Sequence, residues 1–234
     1  MKLMIIGVAR SGTTILANYI NSLENSFCFI EPHWSMKLHN KIDEFYLPAI
    51  NDPDHDLFHK EDNLPLDYLI SEMENKYNIV GFKETYRKSK DRFRDNTELI
   101  QNYIDSNLYT IIYILRHPYA VYNSIKRFDR TPLETKKNFE DFISSYKGFL
   151  DLIVANRPVI YEYFIENPFQ EILEKTGIAV KNPSKILSHN TRMGDETANK
   201  TDEIRKIKSE TLITEEDRKI IDSYRFIYFY NQFL

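Results

Sequence analysis

Gly7-Val8-Ala9-Arg10-Ser11-Gly12-Thr13-Thr14 is the stretch of sequence that decides the fold. It follows a short apolar run at residues 3–6 and precedes a segment with helical spacing at 13–22, so it joins a strand to a helix. Its two glycines have the G-x-x-x-x-G spacing of a phosphate-binding loop, in which backbone N–H groups and the helix N-terminus hold phosphate oxygens. The stretch therefore predicts an anion site at the start of the first helix.

The residue after the second glycine separates this loop from the loops of ATPases and kinases. Those enzymes place a lysine there to neutralise the β- and γ-phosphates, whereas this chain has Thr13. Arg10 lies three residues earlier and supplies positive charge from within the loop, and Ser11, Thr13 and Thr14 add hydroxyl donors. The alternative interpretation is a tight strand-to-helix turn with an incidental arginine.

Short apolar runs alternate with segments of helical spacing along the rest of the chain. Strands are predicted at 3–6, 27–30, 79–82, 110–115 and 158–161, and helices at 13–22, 96–106, 119–128 and 139–155. This alternation predicts an α/β fold, a three-layer sandwich whose central parallel sheet is flanked by helices. With 234 residues and no repeat or linker, the chain is expected to be a single domain over 1–234. The segment 34–77 has weak periodicity and is expected to be irregular or loosely helical around a substrate pocket.

The carboxyl ends of the predicted strands carry most of the charged residues of interest. Ligands of open parallel sheets bind beyond these ends. The first strand leads into the glycine loop, and the next four are followed by Glu31, by Lys83 with Glu84, by Arg116 and by Glu162. This collection suits a polyanionic ligand with an acid–base partner.

A second strand, turn and helix start is predicted at residues 113–124. Pro118 suits the first position of a helix. Ser124 then falls in the first or second turn, where its hydroxyl can join Arg116 on one phosphate group. The pair alone is a weak signal, and it gains strength from the phosphate loop about 100 residues earlier in the same strand-then-helix context.

These residues resemble the sulfotransferases that use 3′-phosphoadenosine 5′-phosphosulfate (PAPS). Arg10-Ser11-Gly12-Thr13-Thr14 matches the family's 5′-phosphosulfate loop, and Arg116, Pro118 and Ser124 match its 3′-phosphate motif. The resemblance implies the P-loop NTPase-like sulfotransferase fold, PAPS as cofactor and its product PAP. It also implies transfer of the sulfuryl group to a hydroxyl or amine of a small-molecule or carbohydrate acceptor, with Arg10 neutralising charge. A 3′-phosphate distinguishes PAPS from ATP, so the second motif favours a sulfotransferase over a kinase.

Two further matches to this family are looser. Residues 159–168 are close to its Y-E-D-L segment and the D-P pair after it, which makes Tyr161 a candidate adenine contact; Tyr163 and Phe164 replace the family's Asp and Leu. A core aromatic at a strand end is the alternative for Tyr161. The segment 181–209 resembles a mobile loop that some members close over PAPS, through Arg192, Gly194, Asp195 and Lys200. A solvated loop explains it equally well.

Sulfuryl transfer requires a proton acceptor and cations near the loop. Glu31 is the first candidate for the base because family members that use a carboxylate place it after the second strand. His33 is the second candidate and Glu84 the third, although Glu84 also has Arg87 as a potential ion-pair partner. Lys83 is expected to reach the sulfuryl group or to orient Glu31. The alternative for Glu31 is a surface carboxylate or a simple partner of Lys83.

The composition limits the kinds of partner and the cellular location that we expect for this protein. The formal net charge of −4 argues against nucleic acid as a partner. The single Cys28 cannot form an internal disulfide, which suits the reducing cytoplasm. No apolar run approaches the roughly 20 residues that span a bilayer, and no signal-peptide core is recognised. We therefore expect a cytoplasmic protein without a membrane span; its oligomeric state is open.

Alternatives to this function have weaker support in the sequence. Asp52, Asp54, His55, Asp56 and His59 include a histidine pair at i and i+4 but no further ligands at defined spacing, so no metal site is expected. The rival functions are a P-loop nucleotide kinase-like enzyme and a non-catalytic PAP-binding module. The acceptor itself has no recognisable code in the sequence.

Overall fold

The computed structural model describes residues 1–40, 42, 64–127, 131–177 and 213–234. Within these ranges one five-stranded sheet contains β1 (Lys2–Val8), β2 (Ser26–Ile30), β3 (Ile79–Tyr86), β4 (Thr110–Leu115) and β5 (Val159–Ile160). The spatial order is β2-β3-β1-β4-β5, and every neighbouring pair is parallel.

Helices connect and cover the strands. They are α1 (Thr13–Asn21), α2 (Pro32–His39), α3 (Leu66–Glu74), α4 (Thr97–Ser106), α5 (Pro118–Lys126), α6 (Pro132–Ile153), α7 (Tyr161–Phe164), α8 (Pro168–Thr176), α9 (Glu215–Ser223) and α10 (Phe226–Asn231). Prolines open α2, α5, α6 and α8, where the missing N–H costs no helical hydrogen bond. Reciprocal capping by Thr131 and Glu134 adds a strong start to α6.

The sheet is buried on both faces, and β1 shows why. Leu3 and Ile5 point into a core shared with Leu16 of α1, whereas Met4 and Ile6 point into a second core on the opposite face. Successive strand side chains alternate between faces, so a continuous apolar run requires cover on both sides. The predicted α/β architecture, a parallel sheet between two helical layers, is confirmed.

Strand β1 lies in the middle of the sheet, and this position creates the crevice for a ligand. The chain passes from β1 to β2 and β3 on one side and to β4 and β5 on the other. Crevices of open parallel sheets form where the strand order reverses in this way. The glycine loop follows β1 and Arg116 follows its neighbour β4, so both predicted anion motifs lie at this crevice.

Lys83 and Glu84 do not lie at the end of a strand, and that part of the prediction was wrong. Strand β3 continues to Tyr86, which pairs in register with Val8 of β1. Both charged residues are almost completely buried inside it. Lys83 is paired with Glu31, and burial raises the pKa of Glu84, so the strand can hold both residues.

Several element bounds also differ from the sequence prediction. Helix α6 begins at Pro132, seven residues before the predicted start at 139. Its first turns are exposed and lack an apolar stripe, so the apolar periodicity of the sequence does not reveal them; Leu133 is 78% exposed. The terminal aromatic run forms α10, and Phe226 contacts Phe142 and Tyr146 of α6. Most of helix α2 and all of helix α3 lie in the segment 34–77, which the sequence predicts to be irregular or loosely helical. The segment 181–209 lies outside the described residues, and so does the segment 52–59 with its histidine pair.

None of the helices in the described ranges is long and apolar enough to cross a membrane.

Candidate functional site

The glycine loop has the backbone of an anion cradle. Arg10 and Gly12 adopt left-handed conformations, with φ of 67° and 97°. A Cβ atom at Gly12 would overlap the ring of Tyr161, so only glycine fits there. Helix α1 begins at the next residue, and the amide groups of a first helical turn point outward with the positive end of the helix dipole. The loop can therefore receive a phosphate or sulfate group.

The hydroxyl residues of the loop occupy different positions. Ser11 donates both its backbone N–H and its hydroxyl to the carbonyl of Val8, at 3.1 and 2.8 Å, so both donors stabilise the loop. Thr13 is buried and Thr14 half-buried at the start of α1. The two threonines, with the amide groups of the first turn, are the donors that remain at the ligand end of the helix.

A hydrogen bond joins the two predicted anion motifs. The Nε of Arg10 donates to the hydroxyl of Ser124 at 3.0 Å, although 114 residues separate them. One terminal nitrogen of Arg116 donates to the carbonyl oxygen of Arg10, also at 3.0 Å. Two guanidinium groups and a hydroxyl therefore meet at the crevice. The role of Arg116 and Ser124 on one phosphate group stays a prediction.

Arg116 is held by its surroundings and still has an unused donor. Tyr146 of α6 donates its hydroxyl to the Arg116 carbonyl at 2.7 Å, and the guanidinium lies over the ring of Tyr161 at 4.3 Å. Its buried Nε has no hydrogen-bond partner among the described residues. Buried donors without a partner are rare in folded proteins, so this N–H suits an anion that is bound during function.

The turn after Arg116 is anchored by the C-terminal helix. The backbone N–H of His117 donates to Glu162 at 3.2 Å, and the other oxygen of Glu162 accepts from the hydroxyl of Tyr230 at 2.8 Å. Burial lowers the pKa of His117 against the opposing charges of Glu162 and Asp222. Tyr230 has no signal in the sequence for this role, because nothing local connects a residue so close to the C-terminus with this turn.

Tyr161 lies between the two motifs as a packed aromatic ring. It is only 5% exposed, with Arg116 over its face and Gly12 against its edge. A packing role explains this position. Contact with adenine stays a prediction.

Glu31 is the centre of a second cluster. Its carboxylate accepts from Lys83 at 2.6 Å, from Thr85, and from Arg87 at 3.1 Å. The three donors alternate along β3 and its continuation, so all three point to one face of the strand. This i, i+2, i+4 spacing is the sequence signal that could have predicted Thr85 and Arg87 as partners of the same carboxylate.

The charge of Glu31 is strongly stabilised. Burial alone would raise the pKa of this carboxyl, but Lys83 and Arg87 outweigh burial and hold the pKa far below its usual range. Glu31 also has a left-handed backbone with φ of 48°, an uncommon conformation for a residue other than glycine. The residue is therefore a permanently ionised carboxylate in a defined orientation, and a weak base.

Glu84, which is fully buried, and His33, which is half-buried, form a pair on the other face of β3. Glu84 accepts from the backbone N–H of His33 at 2.9 Å, and its second oxygen has no partner in the described ranges. Burial raises the pKa of Glu84 to about 8, and the charge of Glu31 adds to this. Burial lowers the pKa of His33 to about 4, and its ring lies against Phe82 and Tyr103. Both groups are enclosed, so neither is open to an acceptor as the chain stands.

Among the described residues, no group of three or more histidine, cysteine, aspartate or glutamate side chains is arranged to hold a metal ion.

Comparison with solved structures finds a likeness of fold. No protein-family model matches the sequence, and no curated protein matches it. The chain is similar in structure to the sulfotransferase domain of the olefin synthase of Synechococcus PCC 7002, with a TM-score of 0.56 and 16% sequence identity. The likeness covers 96% of this chain and 94% of that domain. At this identity it shows the fold: a five-stranded parallel sheet flanked by helices, shared with a sulfotransferase domain.

Proposed function

We propose that this chain is a sulfotransferase that takes the sulfuryl group from PAPS and transfers it to an acceptor hydroxyl or amine, with PAP as the other product. The observation that carries the proposal is the hydrogen bond from Arg10 to Ser124, together with the contact of Arg116 with the loop. These contacts support the proposal because the residues that resemble a 5′-phosphosulfate loop and those that resemble a 3′-phosphate motif lie at one crevice. The shared fold supports the same function.

The residues present suit the two anionic ends of PAPS. On the 5′ side, the left-handed loop, the first turn of α1 and Arg10 offer backbone and guanidinium donors. On the 3′ side, the buried Nε of Arg116 has no partner among the described residues, and Ser124 of α5 accepts a hydrogen bond from Arg10, whose carbonyl binds Arg116. The cofactor would supply an activated sulfuryl group with a stable leaving group.

Charge neutralisation in the transfer falls to Arg10 in this proposal. Lys83 is almost completely buried and paired with Glu31, so its part is to orient that carboxylate. Donors aimed at developing charge in a water-poor site lower the barrier more than the same donors in water. The loop amide groups add to this effect.

Two roles compete for Glu31. In the first, its carboxylate accepts the proton of the acceptor; in the second, it only balances Lys83 and Arg87. The low pKa favours an acceptor whose own proton is easily lost, because a weak base removes such a proton at least cost. His33 and Glu84 are enclosed and rank behind Glu31 as the base.

Binding of PAP is the direct test. We expect PAP to raise the melting temperature of the protein and Mg-ATP to leave it nearly unchanged, because the loop has Thr13 where kinases have lysine. Stabilisation by Mg-ATP alone would instead identify a nucleotide kinase-like enzyme. Arg10→Ala should remove the PAP effect, since its charge lies on the 5′ side.

Turnover separates an enzyme from a PAP-binding module. The measurement is release of labelled sulfate from PAPS onto a panel of acceptors that includes phenols, alcohols, amines and sugars. Transfer onto any of them supports an enzyme. Tight PAP binding without transfer to the whole panel would support the non-catalytic module.

A further inference from the structure

A cleft of about 330 Å³ opens beside the glycine loop. We call it the Trp34 cleft, and its apolar wall is formed by Val8, Ala9, Trp34, Tyr86, Ile125 and Phe142. Arg10 also lines it, so one end of the cleft is the anion loop itself. A molecule bound there would therefore meet Arg10, which the proposed function assigns to the sulfuryl group.

The cleft and the Glu31 cluster share a wall. The guanidinium of Arg87 lies over the ring of Trp34 at 4.5 Å and also binds Glu31 at 3.1 Å. A ligand against the indole is thus one side chain away from the carboxylate. This contact connects the cleft to the second half of the site, which the sequence analysis did not anticipate.

Several polar groups at the cleft are already paired within the protein. Ser89 donates its hydroxyl to Asp141 at 2.8 Å, and Arg94 lies 3.7 Å from the same carboxylate. The hydroxyl of Ser145 is hydrogen-bonded to the backbone of Lys88. A polyhydroxylated ligand would therefore place many of its hydroxyl groups against apolar or occupied surface, at a cost for each lost hydrogen bond with water.

We propose that the Trp34 cleft binds a phenolic acceptor, a molecule of one or two aromatic rings whose hydroxyl points to Arg10. The role as acceptor rests on the proposed function; the binding of a phenol does not. A cavity of about 150 Å³ already holds a benzene ring, so the cleft has room for such a molecule. The rings of Trp34, Tyr86 and Phe142 supply aromatic partners, and Arg10 supplies a cation.

The chemistry of the site agrees with a phenol. In the transfer, the phenolic oxygen bonds to sulfur, the bond from sulfur to the 5′-phosphate oxygen breaks, and PAP leaves with the electron pair. The phenolic proton passes to Glu31 or to water. A phenol ionises with a pKa of about 10, far below that of an aliphatic alcohol, so it needs only a weak base.

Trp34 is the single tryptophan of the chain and reports on the cleft directly. The probe is para-bromophenol, whose heavy atom quenches indole fluorescence at contact, titrated without any nucleotide. We expect saturable quenching in the wild type and affinity lowered about ten- to a hundredfold by Ile125→Asp, which places a charge in the apolar wall. Ile220→Asp, the same change at an exposed isoleucine of α9, is the matched control and should not alter binding.

Other outcomes overturn the inference. Equal quenching in wild type and Ile125→Asp would show that the phenol does not enter the cleft, and displacement of the phenol by N-acetylglucosamine would show a sugar site instead. If Ile125→Asp does not fold, the test is made with Ile125→Ala. We expect this variant to lower the affinity for para-bromophenol about threefold or more, because it removes part of the apolar wall. An unchanged affinity would contradict the proposal. PAP binding is measured on the same samples, so failure of the nucleotide and failure of the phenol are separate results.

Discussion

Arg116 combines a contact with the loop and a buried unused donor, so it allows a sharp prediction at the level of one residue. We expect Arg116→Ala to weaken PAP binding about ten- to a hundredfold, since a charge-assisted hydrogen bond contributes about 1.5–3 kcal/mol. Adenosine 5′-phosphosulfate lacks the 3′-phosphate and should lose much less affinity. Calorimetric titration with both nucleotides measures the difference. An equal loss for both would mean that Arg116 acts only by supporting the loop.

Glu31 gives the second prediction at this scale. If it accepts the proton, Glu31→Gln lowers turnover by about 10²–10⁴-fold and leaves PAP affinity nearly unchanged, because the carboxylate contacts Lys83 and Arg87 rather than the anion loop. The melting temperature should fall as well, since two largely buried cations lose their counter-charge. Turnover per folded molecule is the decisive measurement. Retained turnover with lowered stability would assign Glu31 the counter-ion role alone.

At the level of elements, the C-terminal helix α10 supports the turn that carries Arg116. Its Tyr230 holds Glu162, which accepts from the backbone of His117. We expect Tyr230→Phe to lower the unfolding free energy by about 1 kcal/mol, the usual contribution of one hydrogen bond, and to weaken PAP binding a few-fold through the loosened turn.

The adjacent Tyr228 provides the control for Tyr230. It is 51% exposed, and Tyr228→Phe keeps its ring contacts with Phe229 and Arg225. Chemical denaturation and PAP titration of both variants make the comparison. Equal PAP affinity in Tyr230→Phe and Tyr228→Phe would show that α10 does not position the turn.

At the level of the whole molecule, the buried Glu84 and His33 predict how stability depends on pH. Glu84 has a pKa of about 8 in the fold, above its ordinary 4.5, so its contribution to stability is lost as pH rises toward 8. His33 has a pKa of about 4, below its ordinary 6.5. Between about pH 4 and pH 6.5 the unfolded chain therefore binds a proton at His33 that the folded chain does not bind. The free energy of unfolding rises with pH across this interval.

Below pH 6.5 the titrations of His33 and Glu84 change the stability in opposite directions. Above pH 6.5 only the titration of Glu84 changes it. We expect stability to fall by about 1–2 kcal/mol between pH 6.5 and 8 because the unfolded chain has already released the proton that the fold retains. Denaturation midpoints across this interval measure the fall. Glu84→Gln, which keeps an acceptor for the His33 amide, should flatten it; the same fall in this variant would contradict the assignment.

The sequence by itself determined the architecture and the places of the two predicted anion motifs, because these depend on local patterns. Apolar runs of strand length and the glycine spacing at Gly7 and Gly12 are enough to predict a parallel sheet with a phosphate loop after its first strand. The position of Arg116 followed from the same rule, since parallel strands end at one edge. Local chemistry also placed Pro118 at the first position of α5.

Only the tertiary structure decided most of the contacts between side chains across the sheet. A contact of Glu31 with Lys83 was already expected from the sequence, but the contact of Arg87 with the same carboxylate joins residues 56 apart, and the bond from Arg10 to Ser124 joins residues 114 apart. Strand order sets such contacts, and a single sequence does not encode strand order locally. Burial then decided the protonation of Glu84, because a carboxyl loses its charge when the fold removes it from water.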